Sequence, residues 1–546
     1  MFNGLYLINQ GPKNYKKISG GKSMTAFLVA FVAGFAYYAR RFMGDLYLER
    51  PIIIGPIVGL ICGDVQTGLI VGGTMELIFM GAADIGGSVP SNYCVGSAIG
   101  TYFAVVNSWS VEQALVIAIP AAMLGSFFEL FAKTFGVFFV NAGEKMAEKS
   151  NVKGIAALTH LGNIFHGLAY AIPVFLAALL GAPAVDAFMK GVPAWLNLGI
   201  TLAGKTLPAL GFALLLNTLA SNKLIPFFFI GFIITVYAGT GVVGTSILAG
   251  LVAFVIMAFQ PKTADDDLDS EAAPAAGEVQ SALEPGDVKR LYWRSFAIQS
   301  AFSFDRMQAM GFTWGLLPIL KRIYANNPEG LADALKRHLA FFNTFPWLSS
   351  SPLVLAAEME IKKARGENID AQAIQGLKSS LMGPLAGIGD SMFHGTARPI
   401  MGGICASLAL SGNAAAPWIF FISLLALHLF CRWWVMKQSI AMGERMFSVF
   451  ASSSFRKFME GAMITGLMAA GALVGTWLNF TTPLKYVKDG ATISIQNMLN
   501  GIFPKLLPLG LTMLVFFFIR KGVKTTYIML GIMVASIILG ALKWLG

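Results

Sequence analysis

Apolar residues in this chain gather into long runs separated by short polar stretches, with none of the strict alternation of half-buried strands. A membrane span needs about 20 apolar residues, and fewer where a segment is broken or re-entrant. Runs at 24–43, 51–73, 94–108, 112–141, 164–183, 194–220 and 224–260 satisfy this, the last long enough to fold back on itself. The pattern then stops. Pro261 to Asp287 reads PKTADDDLDSEAAPAAGEVQSALEPGD, acidic, rich in Ala and Pro and without aromatics. Such a segment cannot bury enough apolar surface to order itself and is expected to be a flexible linker. A charged, amphipathic region (288–375) follows, and then a second apolar block at 379–411, 415–436, 458–479, 497–519 and 525–545. The prediction is an all-α polytopic membrane protein, two helical units joined by a tether.

Composition settles the class. Of 546 residues, 56% are hydrophobic and 13% charged, and mean hydropathy is +0.66; a soluble chain carries roughly 25% charge. The net charge of +11 fits Lys/Arg-rich loops facing the cytoplasm and anionic membrane lipid. No basic patch with interleaved aromatics stands out, which argues against nucleic acid as a partner. Cys62, Cys94, Cys405 and Cys431 are scattered in or beside apolar runs, the setting of buried free thiols. The start, with KNYKKISGGK before the first long apolar run, does not read as a cleaved signal peptide.

Ionisable residues inside apolar runs are the candidate chemistry. A charge at the bilayer centre costs at least about 2.5–3.5 kcal/mol, so something must offset it. In the first unit, Gly63 to Asn92 carries Glu76, then Asp84, then a Gly-rich break ending in Pro90, Ser91 and Asn92. Unwound backbone at membrane depth is tolerated only where protein buries it or it lines a cavity. Glu76 therefore reads either as a paired structural carboxylate or as an acceptor for a polar solute. In the second unit, QSAFSFDRMQAMGF places Asp305, Arg306 and Gln308 among Phe302, Phe304 and Phe312, and RHLAFFNTFPWL places His338 and Asn343 among aromatics. Carboxylate, amide and ring together suit a sugar, although aromatic stripes also serve plain packing.

Asp390, His394 and Arg398 recur every four residues in GLKSSLMGPLAGIGDSMFHGTARPI. On a helix they share a face, as an Asp–Arg pair fixing a helix break or as the polar lining of a solute path. Gly387 and Gly389 permit a sharp turn there. Too few ligands accompany Asp390 and His394 for a metal. No GxxxxGK[ST] occurs and the local Gly-x-Gly is too weak for a nucleotide site; neither cofactor nor catalytic residue is expected. GPIVGLICGD (55–64) and GPLAGIGD (383–390) share a Gly-Pro-x-x-Gly…Gly-Asp skeleton, an echo of the internal repeats of transporters.

GDVQTGLIVGGTMELIFMG with its Ile-Gly-Gly and Pro resembles the IIC component of mannose-family sugar phosphotransferase systems. FDRMQAMGF, RHLAFFNTFPW and GLKSSLMGPLAGIGDSMFHGTARP are similar to the IID component. The resemblance divides the chain into a basic extension (1–23, Met24 marking a family-like start), a IIC-like domain (24–262), a linker (263–283) and a IID-like domain (284–546). It implies a bacterial inner-membrane permease importing a hexose, an amino sugar or a derivative. Phosphorylated IIB, charged through IIA, then donates phosphate to the sugar. It further implies related folds of inverted topology, each a core with a two-helix arm, assembled as a homotrimer. The phosphohistidines belong to IIA and IIB, so His160, His166, His338, His394 and His428 are not expected to carry phosphate. On that basis Glu76, Asp84, Asn92, Asp305, Gln308, Asn343 and Asp390 are the expected sugar residues, and Arg306, His338, His394 and Arg398 gate or structural groups. Two departures stand out: components usually separate are joined, and Asn92 stands where the family commonly has Asp. From the residues alone, a proton-coupled transporter using Glu76 and Asp390, or a membrane scaffold, remain alternatives.

Overall fold

The computed structural model describes residues 21–82, 91–190, 193–221, 223–259, 281–443, 452–488 and 491–546. The first half begins with α1 (Lys22–Phe42), followed by the short pair α2 (Pro51–Cys62) and α3 (Val65–Ile78), and by α4 (Tyr93–Val106). Two long helices, α5 (Val111–Glu148) and α6 (Val152–Lys190), precede α7 (Ala194–Thr206), α8 (Pro208–Leu219), α9 (Ile225–Ala238) and α10 (Val242–Phe259). Among the described residues, seven helices are long and apolar enough to cross a membrane. The apolar run at 51–73 is divided by Gly63, whose φ of +94° ends α2, and by Asp64, which accepts from Thr67 N to cap α3. The run at 224–260 doubles back as α9 and α10 around Gly239, at φ +67°.

The amphipathic region supplies α11 (Pro285–Ser295), α12 (Ala309–Ile323), α13 (Pro328–His338) and α14 (Ser350–Ala364). Next, α15 (Ala371–Gly389) runs through a π-helical stretch at Asp390–Ala397 into α16 (Arg398–Leu410). The second apolar block completes with α17 (Ala416–Met442), α18 (Ser453–Trp477), the hairpin β1 (Lys485–Lys488) and β2 (Ala491–Ser494), α19 (Ile495–Ile502), α20 (Leu506–Arg520) and α21 (Thr525–Ala541). α19 and α20 meet at 76°.

The helix break anticipated at Gly387 and Gly389 does not occur. Asp390 continues the helix at φ −63°, ψ −42°, and the extra residue of the wider turn is absorbed as a π-bulge, a device common at functional sites. Gly389 serves close packing instead, since a Cβ there would lie 1.9 Å from Cγ of Phe345. The glycine admits the 342–348 loop, not a turn.

The halves interlock. α9 and α10 pack on α18, α7 lies along α21, and α3 packs on α16. Small residues allow this: a Cβ on Gly231 would meet Met468 O at 2.0 Å, and one on Gly471 would meet Phe228 O at 2.0 Å. One apolar core accordingly runs from Ala26 and Tyr37 through Phe228 to Met468 and Met529. Cys62, Cys94 and Cys405 are buried and Cys431 partly so, all as free thiols.

Candidate functional site

Where the end of α1 meets the second half, both halves line a polar cavity of about 160 Å³. The first half contributes Arg40, Arg41 and Lys133. The second contributes Gln299, Phe302, Gln308, Asn343 and Asp390, with His394 and the backbone bend at Thr344–Pro346. Two larger hollows, of about 360 and 310 Å³, are lined mainly by apolar groups, with Ser221, Lys223, Arg456 and Glu460 in the first and Lys289 and Lys437 in the second. The smaller cavity is set apart by the side-chain amides of Gln299, Gln308 and Asn343, which join the carboxylate of Asp390, the three cations and Phe302 in its lining.

The backbone around it is strained. Among the described residues, eight non-glycine residues adopt positive φ, and four of them flank the cavity: Asp45 (63°), Tyr47 (57°), Ala301 (46°) and Met307 (51°). Such conformations cost of order 1–3 kcal/mol each and persist only where their surroundings enforce them. Gln308 is fixed against the turn at 344, its Nε2 donating to Thr344 O (2.7 Å) while its Oε1 accepts from Thr344 N (3.1 Å). Gln299 accepts from Arg41 Nη1 at 3.5 Å.

Asp390 is the lining carboxylate, with its side chain 23% exposed. Its Oδ1 lies 3.3 Å from Nδ1 of His394, whose Nε2 faces Oδ2 of Asp45 at 3.8 Å. Asp45 in turn pairs with Arg40 (3.2 Å). Of the two readings of the stripe, the Asp390–Arg398 pair does not form, and Asp390 faces His394 instead. Arg398 points elsewhere, donating to the carbonyls of Met80 (2.9 Å) and Ala82 (3.2 Å) at the end of α3. The physical reason is spacing: Asp390 and Arg398 stand eight residues apart, about two helical turns, and His394 lies between them within reach of Asp390.

Other expected residues fall outside the cavity lining. Glu76, 1% exposed, accepts from Arg50 Nη2 (2.5 Å), Arg50 Nε (3.0 Å) and Ile52 N (3.4 Å), the geometry of a paired structural carboxylate. Asn92 caps α4, accepting from Val95 N at 3.0 Å, and donates to Glu129 Oε2 at 3.2 Å. Glu129 also pairs with Lys133 at 2.9 Å. An aspartate at 92 would set two carboxylates against each other here, so the amide suits this neighbourhood. Asp305 sits at the surface beside Arg306, which pairs with Glu144 at 3.0 Å. Asp84 lies outside the described residues.

His338 is buried away from the cavity, its Nε2 3.0 Å from Glu360 Oε1. Burial pushes its imidazole down to about 4, against the pull of the carboxylate, so it stays neutral near pH 7. Burial would raise Glu360, but the donors His338 and Arg337 hold it at about 2. Phe312 likewise packs on Phe342, in the core.

The sequence reading passed over Arg40, Arg41, Asp45 and Lys133. The signal was available in RRFMGDLYLER, where five charges crowd the end of an apolar run; it reads as an ordinary polar loop until the second half closes over it.

Comparison with known proteins decides the family. Residues 23–255 match the family described as the sorbose-specific IIC component of the phosphotransferase system (PTS), and residues 282–545 match the PTS mannose/fructose/sorbose family IID component. The chain is 38% identical over 267 residues to the fructose permease IID component of Bacillus subtilis, covering 48% of this chain and 97% of that one. It is 38% identical over 272 residues to the sorbose-specific EIID component of Klebsiella pneumoniae (49% and 99%). It is 28% identical over 258 residues to the mannose-specific EIIC component of Escherichia coli K12 (45% and 95%). This chain belongs to the mannose/fructose/sorbose PTS family, with IIC and IID joined in one polypeptide. It is a multi-pass sugar-translocating membrane component of that system, which acts together with IIA and IIB subunits.

Proposed function

We propose that the cavity between α1, α5 and the 299–308, 343–346 and 386–394 segments holds the sugar during translocation, and that Asp390, Asn343 and Gln308 bind its hydroxyls. The observation that carries this reading is the shared lining: one carboxylate and several amides from the IID half face Arg40, Arg41 and Lys133 of the IIC half. Hydroxyl groups both donate and accept, so a site offering carboxylate, amides and cations satisfies every ring hydroxyl, while Phe302 offers an apolar face to ring C–H groups. The substrate class is a hexose or amino sugar, fructose, mannose and sorbose being the sugars named for the relatives. Phosphorylated IIB supplies the phosphoryl group, since this chain carries no nucleotide motif. Three copies assemble in the bilayer in contact with anionic lipid. Glu76, Asn92 and Arg398 support the site by fixing the α3 and α4 termini around it.

Equilibrium binding of labelled mannose, fructose and sorbose to purified protein tests the assignment. Asp390→Asn removes a charge-assisted hydrogen bond of about 1.5–3 kcal/mol, so affinity should fall about 10- to 150-fold with the elution profile of the folded protein unchanged. Uptake in cells containing IIA and IIB should fall in parallel and yield sugar phosphate, without sensitivity to an uncoupler beyond its effect on phosphoenolpyruvate supply. Wild-type affinity in Asp390→Asn removes this cavity from consideration.

A further inference from the structure

A carboxylate–imidazole–carboxylate chain crosses from one half of the protein to the other beside the cavity. Asp390 and His394 belong to the π-helical stretch of the IID half, Asp45 to the turn after α1 in the IIC half. His394 presents Nδ1 to Asp390 at 3.3 Å and Nε2 to Asp45 at 3.8 Å, its side chain 6% exposed. Its ring lies edge-on to Phe345 (5.0 Å) and Tyr47 (6.0 Å), which fixes its plane. Asp45 is fully buried and held at φ +63°.

We propose that Asp45 and His394 are positioning residues for the sugar, keeping Asp390 aimed into the cavity through an imidazolium that stands between the two carboxylates at ion-pair distance. The proposal rests on the reading of this cavity as the sugar site. A neutral imidazole carries one N–H and cannot present a donor to both carboxylates; the imidazolium presents an N–H and a share of positive charge to each. With the proton present, one lone pair of Asp390 faces His394 and the others remain for sugar hydroxyls. Without it, one carboxylate loses its donor and two negative groups flank a neutral ring.

Charges face this chain from each packed element. On the same helix, Arg398 donates to His394 O at 3.4 Å and to the carbonyls of Met80 and Ala82 just past α3. From α1, Arg40 reaches Asp45 (3.2 Å) and Glu49 (3.7 Å). From α17, His428 packs against the turn at Gly44 and accepts from Arg432 Nε at 2.9 Å. Arg41 and Lys133 face the chain across the cavity. Burial and the Arg398 guanidinium oppose protonation of His394, and the carboxylates of Asp390 and Asp45 favour it, so neutralising either carboxylate should make the proton easier to lose.

The test is the pH profile of sugar binding by the full-length protein in detergent, with labelled mannose, fructose and sorbose as probes between about pH 5.5 and about pH 9. Wild-type affinity should fall along an alkaline limb as His394 deprotonates. Asp45→Asn, which keeps a side chain tolerant of positive φ, should move that limb to lower pH. His394→Gln, which keeps one donor and cannot titrate, should flatten the profile. A merely structural role would lower affinity equally at every pH. An unshifted limb in Asp45→Asn, a wild-type profile in His394→Gln, or a wild type without an alkaline limb overturns the relay while leaving the cavity assignment intact. Absence of wild-type binding to all three sugars, or wild-type binding by Asp390→Asn, overturns the cavity assignment and the relay with it. Size-exclusion profiles of each variant identify any that fail to fold, and His394→Gln and Asp45→Asn report independently.

Discussion

Gly55–Asp64 in the IIC half and Gly383–Asp390 in the IID half spell the same Gly-Pro-x-x-Gly…Gly-Asp skeleton, and the two are used differently. In the first, Gly55 and Gly59 are pressed between helices, a Cβ on Gly55 lying 2.5 Å from Gly68 O and one on Gly59 2.9 Å from Gly68 Cα, while Gly63 is open and turns the chain at φ +94°. The terminal Asp64 caps the next helix. In the second, Gly383 and Gly387 have nothing within 4 Å of a built Cβ, Gly389 alone is pressed, against Phe345, and the terminal Asp390 lines the polar cavity. The acidic groups divide the same way, Glu76 being closed inside an arginine pair and Asp390 open at one side. A shared sequence skeleton therefore fixes neither what a glycine is for nor whether a carboxylate is available to a ligand; the partner surface decides both.

The largest effect should come from Glu76→Gln. Arg50 is fully buried and its Nε and Nη2 both donate to Glu76. Breaking a buried pair by neutralising one member leaves an uncompensated charge and costs about 3–5 kcal/mol. Loss of folded protein on size exclusion is the expected outcome, in contrast to Asp390→Asn, which should fold and fail to bind. A well-folded Glu76→Gln that has lost only sugar binding would erase the distinction between the two carboxylates. Gly55→Ala comes next: the obstructing atoms are backbone, which cannot rotate aside, so overpacking should cost about 1–3 kcal/mol in thermal or denaturant unfolding. An unchanged melting temperature would mean that α2 and α3 separate at little cost.

Much of the fold was legible because its signal is local. Runs of about 20 apolar residues predict spans whatever they pack against, and α1, α5, α17 and α18 fall where such runs stand. Subdivision of the runs was less legible. Gly63–Asp64 divides one and Gly239 turns another, while Gly387–Asp390, of similar composition, divides nothing, because there the glycines answer to Phe345 and to open space. Within the site, Gln308, Asn343, Asp390 and His394 stood out as polar residues in an aromatic or apolar setting, and they do come together. Arg40, Arg41, Asp45 and Lys133 did not, since residues in ordinary charged stretches become cavity walls only through contacts far away in sequence, such as Arg41 with Gln299, where |i−j| is 258. Long-range pairing leaves no periodic trace.

The smallest effect sharpens the comparison from the other side. Gly383 and Gly387 sit inside α15, where glycine is less favourable than alanine by about 0.5–1 kcal/mol. With open space around both, Gly387→Ala should raise stability by up to about that amount, partly by restricting the unfolded chain. If the glycine serves only the sequence skeleton, sugar binding and uptake should stay at wild-type levels while the unfolding midpoint rises. Reduced uptake with a raised midpoint would give Gly387 a dynamic role, a yielding point just before Asp390 that the π-bulge needs during translocation. Loss of the assembled oligomer with an intact single chain would show that the open face is covered by a neighbouring copy, which would make its glycines contact glycines like Gly55 and Gly68. Only the first result, a small gain in stability at constant transport, leaves the two skeletons as different in use as their surroundings make them.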